Sequence, residues 1–138
     1  MLSKFAVVML VAASTTACGG TTGPSVALEG NFVASIFRVT PSGQATLDIL
    51  AAGGSLTINI TGGAQTTGTL FVPGTVTGGA PLTATMAGTA IKSGNNVTFS
   101  QTADTFVRDL TWTLSQAGLS VSSQGVAGTS YTVTLTRQ

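Results

Sequence analysis

The chain has 138 residues, enough for one domain with little left for a second. Charged residues make up 7%, against roughly 25% in ordinary soluble domains, but no apolar stretch approaches the roughly 20 residues of a membrane-spanning helix. The net charge is +1, and removal of an N-terminal leader that contains Lys4 would leave a neutral chain. Such a chain lacks the basic surface that nucleic-acid binding needs.

Residues 1–17 are predicted to be a secretory signal peptide. Lys4 provides its positive start, residues 5–13 its apolar centre, and residues 14–17 the small residues that precede a cleavage site. The apolar centre has nine residues, which is too short for a membrane anchor. The sequence therefore predicts export.

Cys18, the only cysteine, directly follows this leader. Here the chain resembles a bacterial lipoprotein precursor, in which such a cysteine becomes the new N-terminus and carries diacylglycerol. The resemblance implies lipidation of Cys18, and two or three acyl chains, at about 0.8 kcal/mol per buried CH₂, would hold the protein on a membrane. The alternative is plain secretion after Ala17, with Cys18 left as a free thiol that has no partner in its own chain.

Residues 18–26 are expected to form the lipidated cysteine and a flexible tether, because glycine, threonine and proline fill positions 19–24. By analogy with the same lipoproteins, Gly19 behind the cysteine favours the outer membrane over the inner one. The membrane, reached through the N-terminal lipid, is therefore the first expected partner, and no protein partner is identified.

Residues 27–138 are predicted to form one all-β domain. Apolar and polar residues alternate with a period of two between turns rich in glycine and asparagine. This pattern predicts an antiparallel up-and-down β-barrel of about eight or nine short strands, with a β-sandwich as the alternative. A hairpin is expected between the second and third strands. In chain order the predicted strands are 28–39, 45–51, 55–61, 67–73, 82–91, 96–101, 105–115, 118–123 and 129–137.

The apolar side chains of this barrel are expected to point inward. Most predicted strands are shorter than the roughly 9 to 11 residues that a membrane-crossing strand needs. Aromatic residues make up 6% of the chain, too few for the two aromatic girdles of a membrane barrel. The barrel is therefore predicted to be a water-exposed domain with an apolar interior.

Segments 28–32, 93–100 and 133–138 together resemble small bacterial lipoproteins of the lipocalin-like barrel group. In lipocalins a Gly-x-Trp motif opens the first strand, and an arginine near the end of the barrel packs across that tryptophan. The resemblance implies that Phe32, which has Gly two residues before it, and Arg137 close the barrel. It also implies that the barrel binds a small apolar molecule. The alternative role of Arg137 is a solvated terminal charge.

Segment 105–115 carries the candidate ligand-binding residues. In a regular strand, Phe106, Leu110 and Trp112 share one face, and Arg108 falls on the same face. An inward Arg108 needs a carboxylate or carbonyl oxygens beside it, and it could then hold an anionic ligand head. The favoured interpretation is that Arg108 lies near a strand end and reaches water.

No catalytic site is predicted. The chain has no histidine, and its four acidic residues are scattered over different segments, so only a carboxylate pair drawn from different strands could supply a catalytic site. Serine and threonine lack a basic partner, and no metal or cofactor is expected. The resemblance to lipocalin-like lipoproteins implies the predicted function, a membrane-anchored cell-envelope lipoprotein that binds a small apolar ligand. The alternative is a non-catalytic structural or protein-interaction module of the envelope.

Overall fold

A computed structural model describes residues 24–138, so the predicted signal peptide, Cys18 and the tether up to Gly23 lie outside the described residues. Eight strands form a closed antiparallel barrel. One additional, very short strand, the second in chain order, pairs with the first. The elements are β1 (Gly30–Pro41), β2 (Leu47–Asp48), β3 (Ser55–Ile60), β4 (Gln65–Val72), α1 (Gly74–Thr77), β5 (Leu82–Ser93), β6 (Asn96–Gln101), α2 (Phe106–Asp109), β7 (Trp112–Leu114), β8 (Gly118–Val126) and β9 (Thr129–Arg137).

The barrel is closed by β1, which pairs with strands on both of its sides. Its first four residues pair with β3, and the length from Phe32 to Pro41 pairs with β9. A β-bulge between Ala34 and Ile36 interrupts the second pairing, and such a bulge bends a strand and increases its twist. The all-β class and the predicted barrel are therefore confirmed, and the sandwich alternative is not what the chain forms.

Two hairpins of the barrel close with two-residue turns that contain glycine. Gly94 carries a positive φ of 61° in the two-residue turn between β5 and β6, as in a type II′ turn. Ala127 and Gly128 both have positive φ between β8 and β9, as in a type I′ turn. The first of these turns lies in the Ser-Gly-Asn-Asn sequence that predicts it.

The strand predicted over 45–51, with its hairpin to 55–61, is wrong. Only β2 is extended there, and it pairs with Arg38 and Val39 of β1 rather than with β3. The Ile49 amide donates to the Phe37 carbonyl at 2.8 Å, and the Ile49 side chain is fully buried. Because Ile49 is drawn into the core at the end of the barrel, the chain turns around it instead of continuing as a strand.

The strand predicted over 105–115 is correct only for Trp112–Leu114. Residues Phe106–Asp109 form α2, which turns Val107 into the core and leaves Arg108 exposed. Strand β7 forms only two residue pairs with each of its neighbours. The segment that contains α2 packs against β6 beside this short strand and covers the core there.

The interior of the barrel is filled by its own side chains, as an eight-stranded barrel permits. Trp112 is fully buried, meets Phe99 edge-on at 6.1 Å between ring centres, and donates its indole N–H to the Val107 carbonyl at 3.1 Å. The large side chains with almost no exposure are Trp112, Phe32, Phe37, Ile49, Leu56, Ile58, Ile60, Leu70, Met86, Leu110, Leu119 and Leu135.

The two ends of the barrel differ. The entry end carries residues 24–29, the turns after β3 and β5, and the C-terminus. The helical end carries α1, α2 and the turn after β2. Both helices have four residues, and within residues 24–138 none is long and apolar enough to span a membrane.

Candidate functional site

An apolar recess of about 150 Å³ opens at the helical end of the barrel. Its walls come from β1, β4, α1, β5, α2, β9 and the turn after β2, so barrel closure brings together residues that are far apart in the chain. We call it the helical-end recess. It is lined by Phe37, Val39, Ile49, Val72, Val76, Leu82, Phe106 and Tyr131.

Three aromatic rings form one wall of the helical-end recess. Phe106 stacks on Tyr131, with ring centres 4.5 Å apart and an interplanar angle of 14°. Its ring centre is also 5.5 Å from that of Phe37, at 40°. Phe37 is buried and the other two rings are half-buried. Because each ring comes from a different element, the stack joins β1, α2 and β9 into one surface.

Val76, in the loop between β4 and β5, and Leu82, the first residue of β5, also line the recess. This loop is held by its own hydrogen bonds, in which the Thr77 hydroxyl donates to the Ala80 carbonyl at 2.8 Å and the Gly78 amide to the Gly74 carbonyl at 2.9 Å. Leu82 is 46% exposed although it lines the recess. The rim of the recess therefore presents apolar surface to water.

Three ionic side chains lie in or just before α2, the helix that supplies Phe106 to the recess. Arg108 donates to Asp104 at 2.6 Å, and its Nε lies 3.5 Å from a carboxylate oxygen of Asp109. Burial, and secondarily the negative charge of Asp109, raise the pKa of the Tyr131 hydroxyl above its ordinary value. The phenol therefore stays protonated at neutral pH and can donate a hydrogen bond at the recess.

The four residues predicted for ligand binding do not surround one cavity. Phe106 lines the helical-end recess. Leu110 and Trp112 are buried in the core, while the Arg108 side chain is 37% exposed and points to Asp104 and Asp109 rather than into the barrel. A role of these residues in binding stays a prediction, and Phe106 is the member that can touch a ligand in this geometry.

The structure brings Arg137 and Phe32 together at the entry end. The guanidinium donates to the carbonyls of Ala27, at 2.6 Å, and Glu29, and it lies over the Phe32 ring. Gly30 lies directly beneath it, since a Cβ there would be 2.6 Å from Nη1 of Arg137. Arg137 therefore holds the incoming chain against the barrel.

Two buried polar side chains flank Gly88 on the inner face of the barrel. Gly88 pairs with Thr66 of β4 on one side and with Gln101 of β6 on the other. Within residues 24–138, the Thr66 hydroxyl and both polar atoms of the Gln101 amide have no hydrogen-bond partner. The inward position of Gln101 follows from the alternation of β6, but nothing in the sequence marks either residue as unpaired.

Sequence reasoning also missed most of the helical-end recess. The alternation of β1 suggests an inward Phe37 and Val39. Val76 lies in a segment that predicts only a loop, and Leu82, the first residue of the predicted strand 82–91, directly follows a proline. The available signal was apolar residues at strand ends next to such loops. That signal does not say which loops meet.

The four carboxylates of the described chain lie in three separate places. Asp48 lies 3.6 Å from Arg38, both Asp104 and Asp109 face Arg108, and Glu29 lies at the entry end. Among the residues that the structure describes, no three acidic or cysteine side chains are close enough to hold a metal ion.

Comparisons of the chain with protein-family models, with curated proteins and with solved structures find no match. The eight-stranded antiparallel barrel is consistent with a lipocalin-like barrel. The function has therefore to be argued from the geometry of this chain.

Proposed function

We propose that this is an exported, lipid-anchored protein of the cell envelope whose barrel supports a small apolar binding site at its helical end. The observation that carries the proposal is the helical-end recess, which combines a wall of three aromatic rings with an exposed Leu82. Apolar pockets with a few placed polar groups are the usual form of small-molecule sites. Here the hydroxyl of Tyr131 is the side-chain polar group among the lining residues.

The volume of the recess limits the ligand. A protein cavity of about 150 Å³ lined by apolar side chains can hold benzene, whereas drug-sized ligands need roughly 300 to 1,000 Å³. The inserted part is therefore a single ring or a short branched alkyl group. The barrel interior, where a lipocalin-like protein would hold its ligand, is occupied by Trp112 and its buried neighbours.

The position of the tether supports a site that faces away from the membrane. Lys92 donates to the Val26 carbonyl at 2.7 Å, and Arg137 binds the carbonyls of Ala27 and Glu29, so the chain enters along the end opposite the recess. Five residues lie between Cys18 and Pro24, and the six steps along the chain reach about 20 Å when extended. With Cys18 lipidated, the recess would meet ligands from the aqueous side.

A second candidate function is a structural or interaction module of the envelope. The filled interior favours it, because a barrel with a packed core can act as a rigid support without any ligand. Exposed Ile36, Phe71 and Ile91 would then belong to the contact surface. In that case the helical-end recess would be a packing irregularity without affinity for small molecules.

The anchor is tested by acylation. Wild-type protein should carry diacylglycerol on an N-terminal peptide that begins with Cys18, and it should fractionate with membranes. Cys18→Ser should move the protein to the soluble fraction. An N-terminal peptide without acyl mass would contradict the lipoprotein part of the proposal.

The recess is tested by titrating cyclohexanol into the full chain with Cys18→Ser, which keeps detergent out of the sample. We expect saturable shifts of the NMR signals of Leu82, Val76 and Phe106. Leu82→Trp should fill the recess and abolish them. Ile91→Trp is the matched control on the same strand, because Ile91 is 59% exposed and away from the recess. Shifts that persist in Leu82→Trp, or that never saturate, would contradict the proposed site.

A further inference from the structure

We propose that the helical-end recess prefers an apolar group attached to a cationic amine over the same group attached to a carboxylate. The inference rests on the proposed function and adds the chemical class of the ligand. It is carried by the charges at the rim of the recess together with its aromatic wall.

The cations of the helical end are already paired. Arg108 is held between Asp104 and Asp109, so this group of three has a net charge of −1. Arg38, beside the lining residues of β1, faces Asp48 at 3.6 Å and forms a neutral pair. An incoming carboxylate would therefore meet no free positive charge at this end, within the described part of the chain.

The remaining cations of the described chain lie at the other end of the barrel. Lys92 and Arg137 both bind backbone carbonyls of residues 24–29 at the entry end. The barrel is therefore polarised, with net negative side-chain charge at the helical end. Because electrostatic interactions are screened over about 8 to 10 Å at physiological salt, the entry-end cations cannot offset the charge beside the recess.

The negative charge acts at the aromatic wall itself. Phe106 begins α2 and stacks on Tyr131, and Asp109 follows Phe106 by one helical turn. Burial contributes most to the raised pKa of Tyr131, and Asp109 raises it further. A cation over the faces of Tyr131 or Phe106 would also gain from the ring quadrupoles. Both effects disfavour a carboxylate.

Three probes that share one six-membered ring separate the effect of the ligand's charge from that of its apolar ring. They are cyclohexanol, cyclohexylamine and cyclohexanecarboxylate. At an ionic strength of about 0.1 M and pH 7 we expect cyclohexylamine to bind roughly fivefold more tightly than cyclohexanol and the carboxylate to bind more weakly than either. In 0.5 M NaCl the amine should lose most of this advantage. The NMR titration of the full chain with Cys18→Ser reports all three affinities and their location.

Asp109→Asn should reduce the amine preference to about twofold and leave the affinity for cyclohexanol unchanged. Glu29→Gln removes a carboxylate at the entry end and is the matched control, for which the preference should persist. If cyclohexanol binds in the recess but the amine binds no more tightly, or the carboxylate binds best, the charge inference is wrong and the proposed function stands. If none of the three probes binds, both are overturned.

Discussion

The guanidinium carbon of Arg137 lies 4.7 Å from the centre of the Phe32 ring. The two residues are also paired across β1 and β9, the strands that close the barrel. Arg137 therefore connects three parts of the chain, namely the first strand, the last strand and the segment that leads to the tether. Because Arg137 is the last residue of β9, its contact with Phe32 forms only when β9 pairs with β1 and closes the barrel.

The effects of removing Arg137 and Phe32 on the free energy of unfolding should be non-additive. We expect Arg137→Ala and Phe32→Ala to show a coupling energy of about 0.5–2 kcal/mol in denaturant unfolding, because a cation over an aromatic ring contributes that amount. A double-mutant cycle measures it directly. Strict additivity would mean that the contact contributes nothing to stability and that Arg137 acts only through its backbone partners.

Gly30 should be intolerant of a side chain. Its φ of 150° is one that L-residues rarely adopt, and a Cβ would collide with the Arg137 guanidinium. Gly30→Ala should therefore lower the free energy of unfolding by about 1–3 kcal/mol. Gly63→Ala is the control, since a Cβ there meets nothing within 4 Å, and it should change stability by less than about 0.5 kcal/mol. Equal effects of the two variants would contradict this account of Gly30.

Tyr131 should make the protein less stable in alkali. Its pKa in the folded state is raised above 10.0, the ordinary value, by burial and by Asp109. Below pH 10 the phenol is protonated in both states, so its contribution is fully present there. Above pH 10 the unfolded chain ionises first, and stability falls until the pH passes the folded pKa. Tyr131→Phe should remove this part of the loss.

The measurement of this pKa is unambiguous because the chain has one tyrosine. Absorbance of the phenolate at 295 nm should give a midpoint above that of the urea-unfolded chain. Asp109→Asn should move the folded midpoint toward the unfolded one. A folded midpoint at or below the unfolded value would show that Tyr131 is not packed in the aromatic wall.

Replacing Gln101 with an apolar side chain should stabilise the protein. It is 8% exposed, and its amide has no hydrogen-bond partner among the described residues, which is unfavourable by about 1–3 kcal/mol. We therefore expect Gln101→Met to raise the free energy of unfolding by about 1 kcal/mol. Gln65→Met, at an exposed position, is the control and should be near neutral. Destabilisation by Gln101→Met would show that the amide is bonded in the folded protein.

How far the sequence predicts the fold depends on how strictly its residues alternate. Residues 96–100 and 130–136 alternate polar and apolar side chains without interruption, and the strands that contain them, β6 and β9, have the predicted bounds. The strand prediction for 105–115 is wrong over Phe106–Asp109. Phe106 and Leu110 are four positions apart, a spacing that fits one face of a strand and one face of a helix equally well. The local pattern cannot distinguish a strand from a helix here. The helical turn forms, and it buries Val107.

The helical-end recess depends on contacts that no local pattern contains. Ile49, Val76 and Tyr131 are separated by 27 and 55 residues in the chain, and barrel closure is what brings them to one end. The pair of Arg137 and Phe32 could be anticipated because a family resemblance named both positions. The recess had no such guide, since its members are ordinary apolar residues in turns and at strand ends.

The central claim is that the apolar site lies at the helical end and not inside the barrel. Xenon binds apolar cavities without needing hydrogen bonds, so crystals of the full chain with Cys18→Ser can be pressurised with it and its anomalous signal located. We predict a xenon site in the recess between Phe106 and Leu82, and its loss in Leu82→Trp. Xenon inside the barrel beside Trp112, with none in the recess, would contradict the claim and return the ligand site to the interior.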